Sequence, residues 1–156
     1  MNADREVLIQ ALERCETNAQ ALREALEDLR PNVKESLSEL ENLDKTTRRI
    51  LDQFAYRFTR LQDDMANLLI PAILQNMAED VRSMAAIDRF NRLEQLEWLD
   101  SSEEWLEMRR VRNEFTHDYP GKLSERTSKL SEAIKVSYRL MEIFDHLKVK
   151  IKTEFT

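Results

Sequence analysis

The sequence predicts an all-α protein, an antiparallel up-and-down bundle of about five helices, and three observations carry that expectation. One glycine and three prolines in 156 residues leave little material for the tight turns of a sheet-rich fold. Charged residues make up 35% and hydrophobic residues 42%, with Leu, Ala, Glu and Arg abundant, which is the bias of long amphipathic helices. Apolar residues recur at alternating spacings of four and three, which stacks them on one face of a helix packed lengthwise on a neighbour. The length suits a single domain over residues 1–156, with a core large enough to need neither disulfides nor a structural metal.

The elements follow in order. Leu8, Leu12, Cys15, Ala19, Leu22, Leu26 and Leu29 form the seam of a first helix, and Cys15 on that seam reads as a small buried hydrophobe. Pro31 and Asn32 end it; Asn32 with Glu35 can cap a short following segment, so residues 1–43 form a long acidic N-terminal helical region. Asp44 is the next candidate cap. Thr47, Leu51, Phe54, Phe58, Leu61, Met65, Leu68 and Ala72 define a long second helix, in which Pro71 is expected to cause a kink by removing one donor and crowding the preceding turn. Met84, Ile87, Phe90, Leu93, Leu96 and Leu99 suggest a third helix that ends at Asp100-Ser101-Ser102.

Ser101 and Glu104 have the spacing of a capping box, which starts a fourth helix near Glu103. Pro120 restricts Tyr119 before it, so this helix should stop at His117 or Asp118 and be the shortest main member of the bundle. After Lys122 the last helix shows a broad apolar face through Leu130, Ala133, Ile134, Val136, Leu140, Ile143, Phe144, Leu147 and Ile151. Short connections favour antiparallel neighbours.

Several function classes are disfavoured. The start of the chain lacks the basic and apolar regions of a secretory signal, and the run Leu68 to Leu74 is too short to cross a bilayer, so a cytoplasmic protein without membrane contact is expected. A net charge of -6 argues against coating nucleic acid through a large basic face, although a local patch is compatible with it. The single glycine rules out a glycine-rich phosphate loop. His117 and His146 are the only histidines and form no HExxH pair; Glu142 with His146 reads as helix surface, and no metal or cofactor is expected.

One stretch stands apart, from Arg109 to Pro120. Met108, Val111 and Phe115 mark its inward stripe, which places Asn113 and His117 together on an outward face and Arg112 at the stripe's edge, in line with Tyr119. A guanidinium, an amide, an imidazole and a phenol at one helix end can grip a phosphate, move a proton and offer a hydroxyl for modification. Tyr119 equally suits an interfacial aromatic with a hydrogen-bonded hydroxyl.

Arg112 and His117 with four residues between them, Asn113 directly after the arginine and Tyr119 two residues after the histidine resemble the motif of the HEPN family, in the form found in HEPN toxins encoded beside minimal nucleotidyltransferases. The resemblance is best from about Arg89 to the last helix and is one of architecture alone before that. It implies a homodimer that cleaves RNA without a metal, with Arg112, Asn113 and His117 catalytic at the subunit interface. His117 would transfer the proton, Arg112 would stabilise the developing charge, and Asn113 would position one of them. Arg109, Arg110, Lys122 and Arg126 could supply a local basic patch for RNA. The resemblance further implies a cognate minimal nucleotidyltransferase that neutralises the protein by attaching AMP to Tyr119. Similar longer bundles serve as non-catalytic substrate-binding or antitoxin subunits of nucleotidyltransferases, and a helical interaction protein is a third class that the sequence leaves open.

Overall fold

The computed structural model describes residues 2–29, 44–118 and 123–155, the side chains of 118 and 123–127 excepted. Helix α1 covers Ala3–Leu29. Helix α2, Lys45–Asp64, runs through a π-helical turn, Met65–Leu69, into α3, Ile70–Asn76, as one continuous rod. A 3₁₀ turn, Val81–Ser83, leads to α4, Ala86–Gln95, then α5, Ser102–Asp118, and α6, Leu123–Glu154. No strand occurs among the described residues, and none of their helices is long and apolar enough to cross a membrane.

The expected all-α, up-and-down architecture is present. Asp4 meets Gln75 and Asn76 while Asn18 meets Arg57 and Asp64, so α1 runs antiparallel to the α2–α3 rod. Glu104 meets Arg139 and Glu114 meets Lys129, which makes α5 and α6 antiparallel. Lys148 reaches Glu16 at 2.9 Å and closes α6 onto α1. The core is the sum of the seams, and burying each Leu or Phe side chain contributes about 1.5–3 kcal/mol. Cys15 is fully buried, and desolvation pushes its thiol from an ordinary 9.0 up to about 12, the state of a packed hydrophobe.

Asp44 caps α2 as its sequence suggests, accepting a 2.7 Å hydrogen bond from the Thr47 backbone, which lowers its carboxyl pKa. The cap at Asn32 and Glu35 lies outside the described residues, so of the N-terminal region 1–43 only α1 is seen.

Along the rod, Thr47, Leu51, Phe54, Phe58, Leu61, Met65 and Ala72 are buried as their spacing suggests, and the repeat fails at Leu68. Leu68 is exposed, and Leu69 is buried in its place. The cause is the π turn, in which Ile70 N–H bonds the Met65 carbonyl five residues back. An ordinary turn here would press the ring of Pro71 on a carbonyl it cannot serve as donor, and the wider turn gives it room while moving the following side chains one residue on.

The expected third helix over Met84 to Leu99 is shorter than its spacing implied. Its α-helical part has 10 residues against 17 in α5, so α4 rather than α5 is the shortest main member. Glu97 adopts φ 65°, and its N–H and that of Trp98 bond the carbonyls of Glu94 and Leu93. Ala78, at φ 62°, ends α3 with the same pattern of bonds. Both are left-handed helix caps built without glycine. Trp98 then turns inward, stacking on Phe155 at 5.7 Å, with Lys150 Nζ 5.2 Å from its ring centroid.

Candidate active site at the end of α5

Ser101 Oγ accepts from the Glu104 backbone N–H at 3.1 Å, half of the expected capping box. The other half is absent, because the Glu104 carboxylate turns to Arg139 at 2.9 Å and ties α5 to α6. Trp105, Met108, Val111 and Phe115 form the buried stripe of α5. Phe115 meets Phe54 and Phe58 of α2 with ring centroids 5.8 and 6.3 Å apart, so aromatic packing fixes the end of α5 that carries the motif.

With that stripe turned inward, Asn113 and His117 are both exposed on one outward face. Arg112 sits at the edge, its side chain only 17% exposed. One terminal guanidinium nitrogen donates to Asn113 Oδ1 at 2.6 Å, and the other forms an ion pair with Asp63 of α2. Thr116 Oγ1 donates to the Arg112 carbonyl at 2.9 Å. Arg112, Asn113 and Asp63 are thus brought together, while His117 lies beyond them on the outward face.

The proposed basic patch is divided. Arg109 is exposed. Arg110 is held by two carboxylates of its own helix, Glu107 at 2.5 Å and Glu114 at 2.6 Å, which raises its pKa further. Glu114 also accepts from Lys129 at 2.5 Å, and this bond and that from Arg110 hold its carboxyl below 4.5. Tyr119 and Lys122 lie outside the described residues, as does the side chain of Arg126. His146 and Glu142 are both exposed on α6, with Glu142 3.3 Å from Arg139. No group of three or more His, Cys, Asp or Glu among the described residues is placed to hold a metal ion.

Sequence reasoning missed Asp63 and the buried cluster beside it. Asp64 is nearly inaccessible and accepts from Asn18 at 2.8 Å, with Arg14 at 3.3 Å and Arg60 at 3.7 Å. A signal existed: Asn18 sits three residues after Cys15 and four before Leu22, at a seam position where a polar residue needs a buried partner. Nothing local marks Asp63, because its partner is 49 residues away. A scan against protein-family models, a search of curated proteins and a search of solved structures each return no match for this chain.

Proposed function

We propose that this chain is a metal-independent endoribonuclease toxin of the HEPN type, active as a homodimer and neutralised by a cognate minimal nucleotidyltransferase that attaches AMP to Tyr119. The observation that carries the reading is the exposure of Asn113 and His117 beside an Arg112 whose guanidinium is already fixed. In the reaction, an imidazole takes the proton of a ribose 2′-hydroxyl as its oxygen attacks the adjacent phosphorus. The bond to the 5′-oxygen breaks, and that oxygen receives a proton, leaving a cyclic phosphate and a 5′-hydroxyl. Arg112 stabilises the charge on the phosphate oxygens.

Helix geometry supports the dimer. Residues 112 and 117 are five apart, which separates them by about 140° around α5, so one subunit does not turn both groups to one point. A twofold axis at this helix end would set His117 of the partner subunit over Arg112. The decisive test is incubation of the purified protein with tRNA and messenger RNA in chelator. Cleavage should leave 5′-hydroxyl ends and fall about 10²–10⁴-fold in His117→Ala. Arg112→Ala should also be impaired; intact RNA with the wild type sinks the reading.

A second reading, a non-catalytic substrate-binding partner of a nucleotidyltransferase, is favoured by one observation: Asp63 already offsets the charge of Arg112. AMP transfer to a chain that leaves RNA intact would support it.

A further inference from the structure

The geometry points to Asp63 as a positioning residue that holds the Arg112 guanidinium ready for a phosphate, an inference that rests on the ribonuclease reading. An arginine side chain has four flexible torsions and loses much freedom when it must act from one place. From its own helix the Arg112 guanidinium has one restraint among the described residues, the 2.6 Å bond to Asn113 Oδ1. Its Nε is buried without a hydrogen-bond partner among the described residues, and Asn113 beside it is itself exposed. Among the described residues, Asp63 makes the hydrogen bond that reaches it from another helix.

Asp63 is itself well placed to be a fixed point. The next residue, Asp64, is buried in the α1–α2 seam and held there by Asn18 and Arg14. Consecutive helical residues point about 100° apart, so anchoring Asp64 toward α1 sets Asp63 toward α5. The stacked Phe54 and Phe58, 5.6 Å between centroids, pack with Phe115 and set the spacing of the two helices at this level. The donor inventory then matters. A guanidinium has five N–H groups, two on each terminal nitrogen. Asn113 and Asp63 take one from each terminal nitrogen, so each retains one for a phosphate oxygen. The carboxylate orients the group without exhausting it.

The test compares full-length wild type, Asp63→Ala, Asp63→Asn and Arg112→Ala, with kcat and KM for tRNA cleavage in chelator measured separately. Asp63→Ala should lower kcat about 10–100-fold, the scale of a misplaced reacting group, with KM little changed. Asp63→Asn, which keeps the accepting oxygen, should recover most of that loss. An Asp63→Ala protein as fast as wild type, or faster, overturns the proposal and makes the carboxylate a competitor of the phosphate.

If the wild type cleaves nothing, the ribonuclease reading fails, and side-chain NMR of the Arg112 Nε–H judges the positioning role alone. That resonance should be resolved and slow to exchange in wild type and in Asp63→Asn, and should move to the free-arginine position in Asp63→Ala. No change in Asp63→Ala refutes the role whatever the nuclease does. Should the alanine variant fail to fold, Asp63→Ser, which lacks the reach to Arg112, replaces it.

Discussion

Asn18 donates to Asp64 at 2.8 Å across the seam between α1 and α2, and both residues are about 95% removed from solvent at 5% exposure. Arg57 in turn donates to Asn18 at 2.8 Å, so the amide is satisfied at both ends. A buried carboxylate is costly unless such partners surround it, and removing it leaves them exposed to the same penalty. Asp64→Ala should therefore destabilise the protein by about 2–3 kcal/mol, near the range for hydrogen bonds to charged groups. Arg14, whose side chain is 57% exposed, can turn to water and limits the loss. Urea denaturation at neutral pH measures this, and a change under about 0.5 kcal/mol, the scale of a surface substitution, would contradict the account.

Phe115→Ala removes the ring that packs against the stacked Phe54 and Phe58 and should cost about 3–5 kcal/mol. Phe115 lies between Asn113 and His117 in sequence, so the same variant should broaden the NMR signals of both even below the melting temperature. Sharp, unshifted signals would mean that the end of α5 is held by something else.

Glu97→Gly should raise stability by about 1 kcal/mol, because a side chain in the left-handed region carries a steric penalty that glycine escapes. Ala78→Gly should do the same at the end of α3. A pair of variants with unchanged denaturation midpoints would show that these backbone angles carry no strain.

Acid should weaken the link between α5 and α6. Hydrogen bonds from Lys129 and then Arg110 hold the Glu114 carboxyl below 4.5, so the unfolded chain takes up the proton first. The stabilisation is complete above about pH 4.5 and is lost as the pH falls through the lower, folded value. The stability difference between wild type and Glu114→Gln should accordingly shrink between about pH 6 and pH 3. A difference that stays constant over that interval would exclude the ionised Glu114 as its source.

Much of this fold can be read from local pattern. The seam from Leu8 to Leu29, the caps at Asp44 and Ser101, and the inward stripe of Met108, Val111 and Phe115 all follow from spacing and appear in the structure. Spacing fails where the backbone leaves the ordinary helix. Leu96 and Leu99 continue the repeat of α4, yet Glu97 between them turns left-handed and ends it, with Trp98 buried as the anchor of the turn. At the candidate site, exposure of Asn113 and His117 was legible, because it depends only on which face of α5 is apolar. The partner of Arg112 was not, since Asp63 arrives from another helix through tertiary packing.

The π turn before Pro71 gives the rod a phase slip. Below it, the helix presents one angular setting to its neighbours; above it, another, so no single heptad frame describes both halves. Deleting one residue from Met65–Leu69 would bring the halves back into phase, but the proline would then collide with the turn beneath it. The exposed Leu68 thus marks where the chain gives up an ideal repeat to keep a proline in mid-helix.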